Sequence, residues 1–333
     1  MGLLSKLFGL QNQGYQQTSQ SVDSFDLLLS QYWVIDDYEM TSNEKEQAYR
    51  FLINSGGQKD DYICGYDLAN EDIEVIVENG EEPSWSPSGE QFAFICDPLT
   101  SHEKNQLDSN IEWTWYRQIY AANETGRNIW RITQLGEDIG HAKNPVWSPN
   151  EKQIVFQADS KLFILNLETG AVNFLIDGEN PFWAPGGDYI AFTHVLDRAV
   201  KVYSLSEKKI IFETKEQGYY SAVSWSPSGR FFAYTVNIWF PGDRQGFLHV
   251  NDTETGKDNV IYSLQIEPVG SFNGGLGSLA WSPDDEQIVF GMFPDLYLIN
   301  LDGSNLIQLT NGQTDHPGVF VVSGHPSWRS SND

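Results

Sequence analysis

Five stretches of this chain repeat one order of apolar and polar positions. PSWSPSGEQFAFI begins at Pro83, PVWSPNEKQIVF at Pro145, PFWAPGGDYIAF at Pro181, VSWSPSGRFFAY at Val223 and LAWSPDDEQIVF at Leu279. A sixth, HPSWRSSND, opens at His325. In each full copy an apolar run leads into Trp, then Ser or Ala, then Pro, then turn-forming residues, then a run rich in aromatic and β-branched residues. This order predicts a β-hairpin. Proline presets φ at the turn, and Gly89, Gly187 and Gly229 are suited to the left-handed corner that closes it. Glu151 and Asp285 stand at that corner in two copies and predict less ideal turns. The flanking runs QFAFI, QIVF, YIAF and FFAY are nearly continuous in apolar residues, which predicts strands covered on both faces.

Between these hairpins lies a second kind of unit. KLFILNLETGAVNFLI, VKVYSLSEKKIIFE, GFLHVNDTETGKDNVIY and DLYLINLDGSNLIQLT each read as strand, tight polar turn, strand. The repeated Trp residues stand at 85, 147, 183, 225, 281 and 328, so the spacings are 62, 36, 42, 56 and 47 residues. Four short strands recurring at about 40 to 50 residues are the signature of a β-propeller. The expected fold class is all-β, a six-bladed β-propeller with four antiparallel strands per blade.

The string LYLINLDGSNLIQLTNG from Leu296, the HPSW from His325 and the WSPSG and WSPDD turns resemble the TolB-type, WD-like propeller repeat. The resemblance covers roughly Ser42 to Trp328. It implies the propeller fold and leaves activity open, since such propellers serve as binding platforms, as periplasmic translocation components and as non-catalytic halves of peptidases.

The strand count predicts how the ring closes. SNEKEQAYRF from Ser42 aligns with SPNEKQIVF, which places the second strand of the N-terminal blade at Ala48 to Asn54, the third at DYICGYDL and the fourth at IEVIVE. That blade lacks a Trp-bearing first strand, and the C-terminal segment around Pro326 to Trp328 supplies one. The rival reading takes WVIDDYEM as that strand, with Met40 at the Trp position. Residues 41–333 are thus expected to form the propeller. Residues 23–40 are expected to pack on it as a short helix or strand, since Phe25, Leu28, Leu29 and Tyr32 fall at helical spacing. Residues 1–22 read as a tail with a polar linker. Leu3, Leu4, Leu7, Phe8 and Leu10 can line one side of a short helix that touches a membrane or a partner.

Composition narrows the partners. The 333 residues carry a formal net charge of −26, which argues against a phosphate backbone as ligand. Cys64 and Cys96 are the only cysteines and are expected to be buried free thiols. The N-terminus shows no adequate signal-peptide core and no run of 18 apolar residues exists, so the expected location is cytoplasmic, with the periplasm as alternative.

The long excursions are Asp97 to Glu112, Asn237 to Gly246, Gln265 to Ser278 and Asn311 to Gly324. All belong to second-to-third connections or to links between blades, so they gather on one face, the expected binding face. Its candidate contact residues are His102 in the first excursion, Trp239, Phe240 and Arg244 in the second, Phe272 and Asn273 in the third, and His316 in the fourth. Trp239 and Phe240 are the best aromatic anchor, because Trp and Arg dominate interface energetics. Trp113 and Trp115 read as packed strand residues.

Catalytic motifs are lacking. GLGSL from Gly275 misses the last glycine of a nucleophile elbow, and neither a phosphate loop nor a His-Glu-x-x-His pair is present. His102, His141, His316 and His325 are the one set from which a metal site on the loop face is conceivable, and the acidic turns NDTETG and NLDGSN are expected to cap their own backbone. No cofactor is expected. The expected function is a non-catalytic platform for another protein. The alternative is a carbohydrate- or peptide-active enzyme with its site over the central channel.

Overall fold

The computed structural model describes residues 26–35, 61–69, 72–96, 116–194, 196–214, 218–240, 243–266, 275–312 and 319–329. These contain no helix. Blade I holds β1 (Leu27–Ile35), β2 (Tyr62–Asp67) and β3 (Asp72–Glu78), and blade II holds β4 (Gly80–Trp85), β5 (Gln91–Cys96), β6 (Gln118–Asn123) and β7 (Ile129–Arg131). Blade III consists of β8 (Lys143–Trp147), β9 (Gln153–Ala158), β10 (Lys161–Asn166) and β11 (Val172–Asp177). Blade IV is built from β12 (Glu179–Trp183), β13 (Tyr189–His194), β14 (Ala199–Ser204) and β15 (Lys209–Glu213). In blade V come β16 (Tyr219–Trp225), β17 (Phe231–Phe240), β18 (Asp243–Asp252) and β19 (Lys257–Gln265). Blade VI has β20 (Leu276–Trp281), β21 (Gln287–Met292), β22 (Asp295–Asn300) and β23 (Ile307–Gln308), and β24 (Val319–Trp328) returns to blade I. Six four-stranded antiparallel sheets result, the closing one ordered β24-β1-β2-β3.

The repeated hairpins share one turn. Ser86 N–H donates to Gln91 O at 2.8 Å and Gly89 N–H to Ser86 O at 2.9 Å, and the same pair of bonds recurs from Ser148, Ala184, Ser226 and Ser282. Gly89, Gly187 and Gly229 take the left-handed corner, at φ of 68°, 80° and 75°. Glu151 and Asp285 adopt it too, at φ of 55° and 63°, a conformation that costs a side-chain-bearing residue roughly 1–2 kcal/mol. The structure shows what offsets the cost. The Glu151 carboxylate accepts the Ser88 N–H of the preceding blade at 2.6 Å, and the Asp285 carboxylate accepts the Ser228 N–H at 3.2 Å. These two corners are ties between blades.

The core is divided among the contacts between neighbouring blades. Blades II and III meet through Ile119, Leu135, Phe156 and Phe163, and blades V and VI through Leu248, Val250, Trp281 and Phe290. Leu28 packs with Trp85 and Phe94 toward blade II, whereas Leu27 and Leu29 pack with Val289 and Leu298 toward blade VI. All three leucines are fully buried. A strand between two blades needs apolar residues on both faces, which is why these runs do not alternate.

Closure through the C-terminal strand is as expected, but its partner is different. β24 pairs with β1 from Leu27↔Trp328 to Ile35↔Val319, with a bulge between Leu28 and Ser30, and β1 pairs directly with β2. Leu27–Ile35 is therefore the second strand of blade I, and the propeller includes it. The spacing of Phe25, Leu28, Leu29 and Tyr32 imitates a helix only because a doubly covered strand is apolar at nearly every position. The same pairing removes WVIDDYEM as the source of the first strand. The segment Ala48 to Asn54 lies outside the described residues, and β1 occupies the place it was expected to fill. The N-terminal decapeptide and Trp113 and Trp115 also lie outside them.

Cys64 and Cys96 are buried and form no disulfide. Burial pushes the Cys64 thiol up to about 12, so it carries no thiolate at neutral pH. The acidic turns do cap themselves: Asp252 accepts the N–H groups of Glu254 and Thr255, and Asp302 that of Ser304.

Candidate binding face

In each blade the inner strand begins on the face that carries the second-to-third turns and the links between blades, so the channel mouth and those turns share one side. The position three residues before the repeated Trp has a special backbone there. Glu82, Asn144, Asn180 and His325 all have positive φ, from 46° to 54°, and each precedes a proline. Their strands carry bulges at this place. A bulge re-aims a side chain, and residues held in this strained conformation persist where the surroundings fix them. Blades V and VI have Ala222 and Ser278 at the position, followed by Val223 and Leu279, with no such strain.

Hydrogen bonds link the ring from blade to blade. The Glu82 carboxylate accepts the Asn144 N–H, the Asn144 side-chain amide donates to Asn180 Oδ1 at 2.9 Å, and His325 N–H donates to Ser278 Oγ at 2.8 Å. Together the six inner strands enclose a mouth cavity of about 300 Å³. Beside it, Arg117, His141, Lys143, Asp159, Ser160 and Glu179 line a second cavity of about 450 Å³. Arg117 grips the Glu81 carboxylate with two nitrogens, at 2.7 and 3.0 Å. Burial alone would raise the Glu81 carboxyl, but its hydrogen bond with Asp61, the Arg117 guanidinium and the charge of His325 together hold it below the usual carboxylate range.

The largest departure from the expected loops is in blade V. Asn237 to Gly246 is not an irregular excursion: β17 and β18 remain paired residue by residue out to Phe240↔Asp243. Trp239 and Arg244 stand directly opposite each other on this extended hairpin. Trp239 is 38% exposed and Tyr219 45% exposed, and their rings lie 5.3 Å apart. The Arg198 guanidinium sits over the Tyr219 ring at 4.9 Å. Sequence reading found Trp239 and Arg244 and missed Tyr219 and Arg198, which come from another strand and another blade. Phe240 ends β17. His102, Phe272, Asn273 and His316 lie outside the described residues.

Of the four histidines considered for a metal, His141 lines the off-axis cavity, where its Nδ1 accepts the Arg117 N–H at 3.2 Å, and His325 lines the channel. Among the described residues no group of three or more His, Cys, Asp or Glu is placed to hold a metal ion.

Comparison with solved structures places this architecture. TolB from Acinetobacter baumannii superposes with a TM-score of 0.60 at 16% identity, covering 92% of this chain and 67% of that one. A structure assigned as TolB from Agrobacterium tumefaciens matches with a TM-score of 0.53 at 13% identity, covering 78% of this chain and 95% of the other. The chain has a TolB-like β-propeller fold. At these identities the likeness is one of fold. Among curated proteins, the uncharacterized peptidase YuxL of Bacillus subtilis (strain 168) is 28% identical over 135 residues, which is 38% of this chain and only 19% of that protein. No family model matches the chain.

The mouth therefore offers fixed amides, with the Arg117–Glu81 ion pair beside the second cavity and an aromatic-cationic hairpin at the rim. A depressed carboxyl pKa contributes stability above the unfolded value, near pH 4.3, and that stability is lost as pH falls through the folded value. Arg117→Met is expected to lower stability at pH 7 by roughly 1 kcal/mol, after allowance for solvent screening, and to flatten the acid limb below about pH 4.3. Urea unfolding at pH 7 and pH 3.5 checks this: a difference between the two proteins that is as large at pH 3.5 as at pH 7 contradicts it.

Proposed function

We propose that this chain is a non-catalytic propeller that binds another protein with the face bearing the channel mouth, anchored on the blade V hairpin. The observation that carries the reading is the exposed Tyr219–Trp239 pair flanked by Arg198 and Arg244. Tyr, Trp and Arg are the residues that concentrate interface energy. Here Tyr219, Trp239 and Arg244 stand on paired strands and Arg198 in the turn just before β14, so little ordering cost is left for the moment of binding. The net charge of −26 favours encounter with a basic surface, and the guanidinium groups at the rim supply donors for carbonyl or carboxylate groups of the partner. A TolB-like propeller fold supports this general role.

Affinity capture from native extract with the full chain tests the proposal, run beside Trp239→Ala/Arg244→Ala. A stoichiometric protein retained by the parent and lost, by about thirtyfold or more in affinity, by a variant of unchanged circular dichroism is the expected result. Equal retention by both overturns the assignment of the anchor, and no retained protein overturns the platform.

A second reading, peptide-active chemistry over the channel, is favoured by the partial likeness to a peptidase and by the electrostatic influence on Glu81 of Asp61 and of His325, the last of which lines the mouth. The grip of Arg117 on Glu81 argues against it, since a carboxylate held ionised is a poor proton donor. Peptide turnover by the purified chain that Glu81→Gln abolishes would establish it.

A further inference from the structure

The off-axis cavity of about 450 Å³ differs from the channel mouth in its wall, where every lining residue is polar or charged. Lys143 and Gln157 are cross-strand neighbours on β8 and β9, which brings their side chains to one face of blade III. Asp159 follows in the turn before β10, and Glu179 starts β12 of blade IV. Gln157 is only 7% exposed. Its Oε1 accepts the Asn180 N–H at 3.0 Å and the Asn144 side-chain amide at 3.4 Å. A backbone N–H can only donate, so this bond fixes which end of the Gln157 amide is oxygen. The Nε2 end has no hydrogen-bond partner among the described residues and is not sealed from the cavity that Gln157 lines. The charges around it are uncommitted too. Among the described residues the Lys143 ammonium and the Asp159 carboxylate form no ion pair, with each other or with a neighbour. Glu179 accepts the Ser160 hydroxyl with one oxygen, at 2.5 Å, and meets no cation there, while the Arg117 guanidinium is engaged by Glu81.

We infer that this cavity binds a small polar zwitterion, an α-amino acid, with its carboxylate on Lys143 and Gln157 Nε2 and its ammonium on Asp159 and Glu179. Opposite charges that line one cavity without meeting are bridged by a molecule carrying both signs, through charge-assisted hydrogen bonds at each end. A buried amide whose oxygen end is pinned presents its N–H groups in a fixed direction, and buried donors are nearly always paired. Ligands of one sign fit less well. A simple anion would face two carboxylates for one uncommitted ammonium, in a chain of net charge −26. A simple cation would use Asp159 and Glu179 but be repelled by Lys143 and leave the Gln157 donor unused. The cavity is of small-ligand size, and a large apolar side chain would find no apolar wall, so the amino acid is one with a short or polar side chain. This site needs no protein partner and does not involve the blade V hairpin, so its test and that of the proposed function fail separately.

The experiment is a titration of the full chain with L-serine and L-glutamine in phosphate buffer, followed by calorimetry and by the ¹⁵N amide resonances. L-Serine methyl ester lacks the carboxylate, and N-acetyl-L-serine lacks the ammonium. Lys143→Gln removes the cation of the site and Asp159→Asn an anion. Both positions are exposed, and asparagine tolerates the φ of 49° at residue 159, so both variants are expected to keep the circular dichroism of the parent. The expected result is saturable binding of L-serine or L-glutamine with a Kd below about 1 mM, and binding weaker by about tenfold for each single-charge analogue and in each variant. In Lys143→Gln the disadvantage of the methyl ester relative to L-serine is expected to shrink, which places the carboxylate at Lys143. The inference is overturned by any of three results: no saturable signal by either method up to about 10 mM amino acid; a single-charge analogue that binds as tightly as the free amino acid; or unchanged affinity in either variant.

Discussion

A chain ended ahead of Val319 is expected to lose its cooperative fold, although it keeps more than nine-tenths of the sequence. β24 is the innermost strand of blade I, and without it β1 has a bare edge facing the channel. The cost extends beyond one strand. Ser327 Oγ accepts the Trp85 N–H of blade II at 2.9 Å, and His325 N–H donates to Ser278 of blade VI, so β24 ties the blades on either side. Arg329 N–H donates to Asp26 O at 2.9 Å and completes the edge. Loss of this pairing also bares part of Leu27 and Leu29, both fully buried against blade VI. Domains of ordinary stability hold about 5–15 kcal/mol in reserve, and opening a closed ring at its seam consumes most of it while exposing a template for edge-to-edge association. Size-exclusion chromatography and thermal unfolding decide the matter. A truncated chain that stays monomeric with a sharp transition would mean that closure is not what holds the ring.

Phe290→Ala is expected to be the most damaging single substitution at a blade interface, at about 3–5 kcal/mol. Phe290 is fully buried on β21 and contributes to the cluster joining blades V and VI. Its ring lies 5.3 Å from Tyr262 of blade V and 6.2 Å from Tyr297 of its own blade. Strands on every side are hydrogen-bonded into sheets, so the backbone has little freedom to collapse into the vacated space, and the cavity cost adds to the lost transfer energy. Phe290→Leu, which keeps most of the volume, is expected to cost less than half as much. Chemical unfolding of both variants measures the difference. Equal small losses would show that the interface repacks.

The fold was legible because each blade writes the same local instructions. The Trp-Ser-Pro turns and the paired apolar runs recur often enough that no single copy has to be read correctly, and the hairpins from Lys161, Val200, Gly246 and Asp295 appear as their patterns predict. Leu27–Ile35 was left open between helix and strand for a physical reason: an apolar run of that length does not distinguish a buried strand from one side of a helix. The blade V excursion misled. Trp239, Phe240, Pro241 and Gly242 read as a loop tip, but the neighbouring residues continue the ladder and leave only the two residues between β17 and β18.

The sequence by itself determined the repeat, the strand-turn-strand units, closure by the C-terminal strand, the buried cysteines and the presence of Trp239 and Arg244 on the long-excursion face. Only the tertiary structure decided which residues meet across blades. Tyr219 reaches Trp239, Arg198 reaches Tyr219, Arg117 grips Glu81, and Trp85 and Trp225 lack the carbonyl partners that Trp147 and Trp281 find. The reason lies in the range of the forces involved. Turn chemistry and strand periodicity act between residues close in the chain and leave their mark on local pattern. A ring of blades brings side chains together at positions set by twist and closure, and that placement has no local signature.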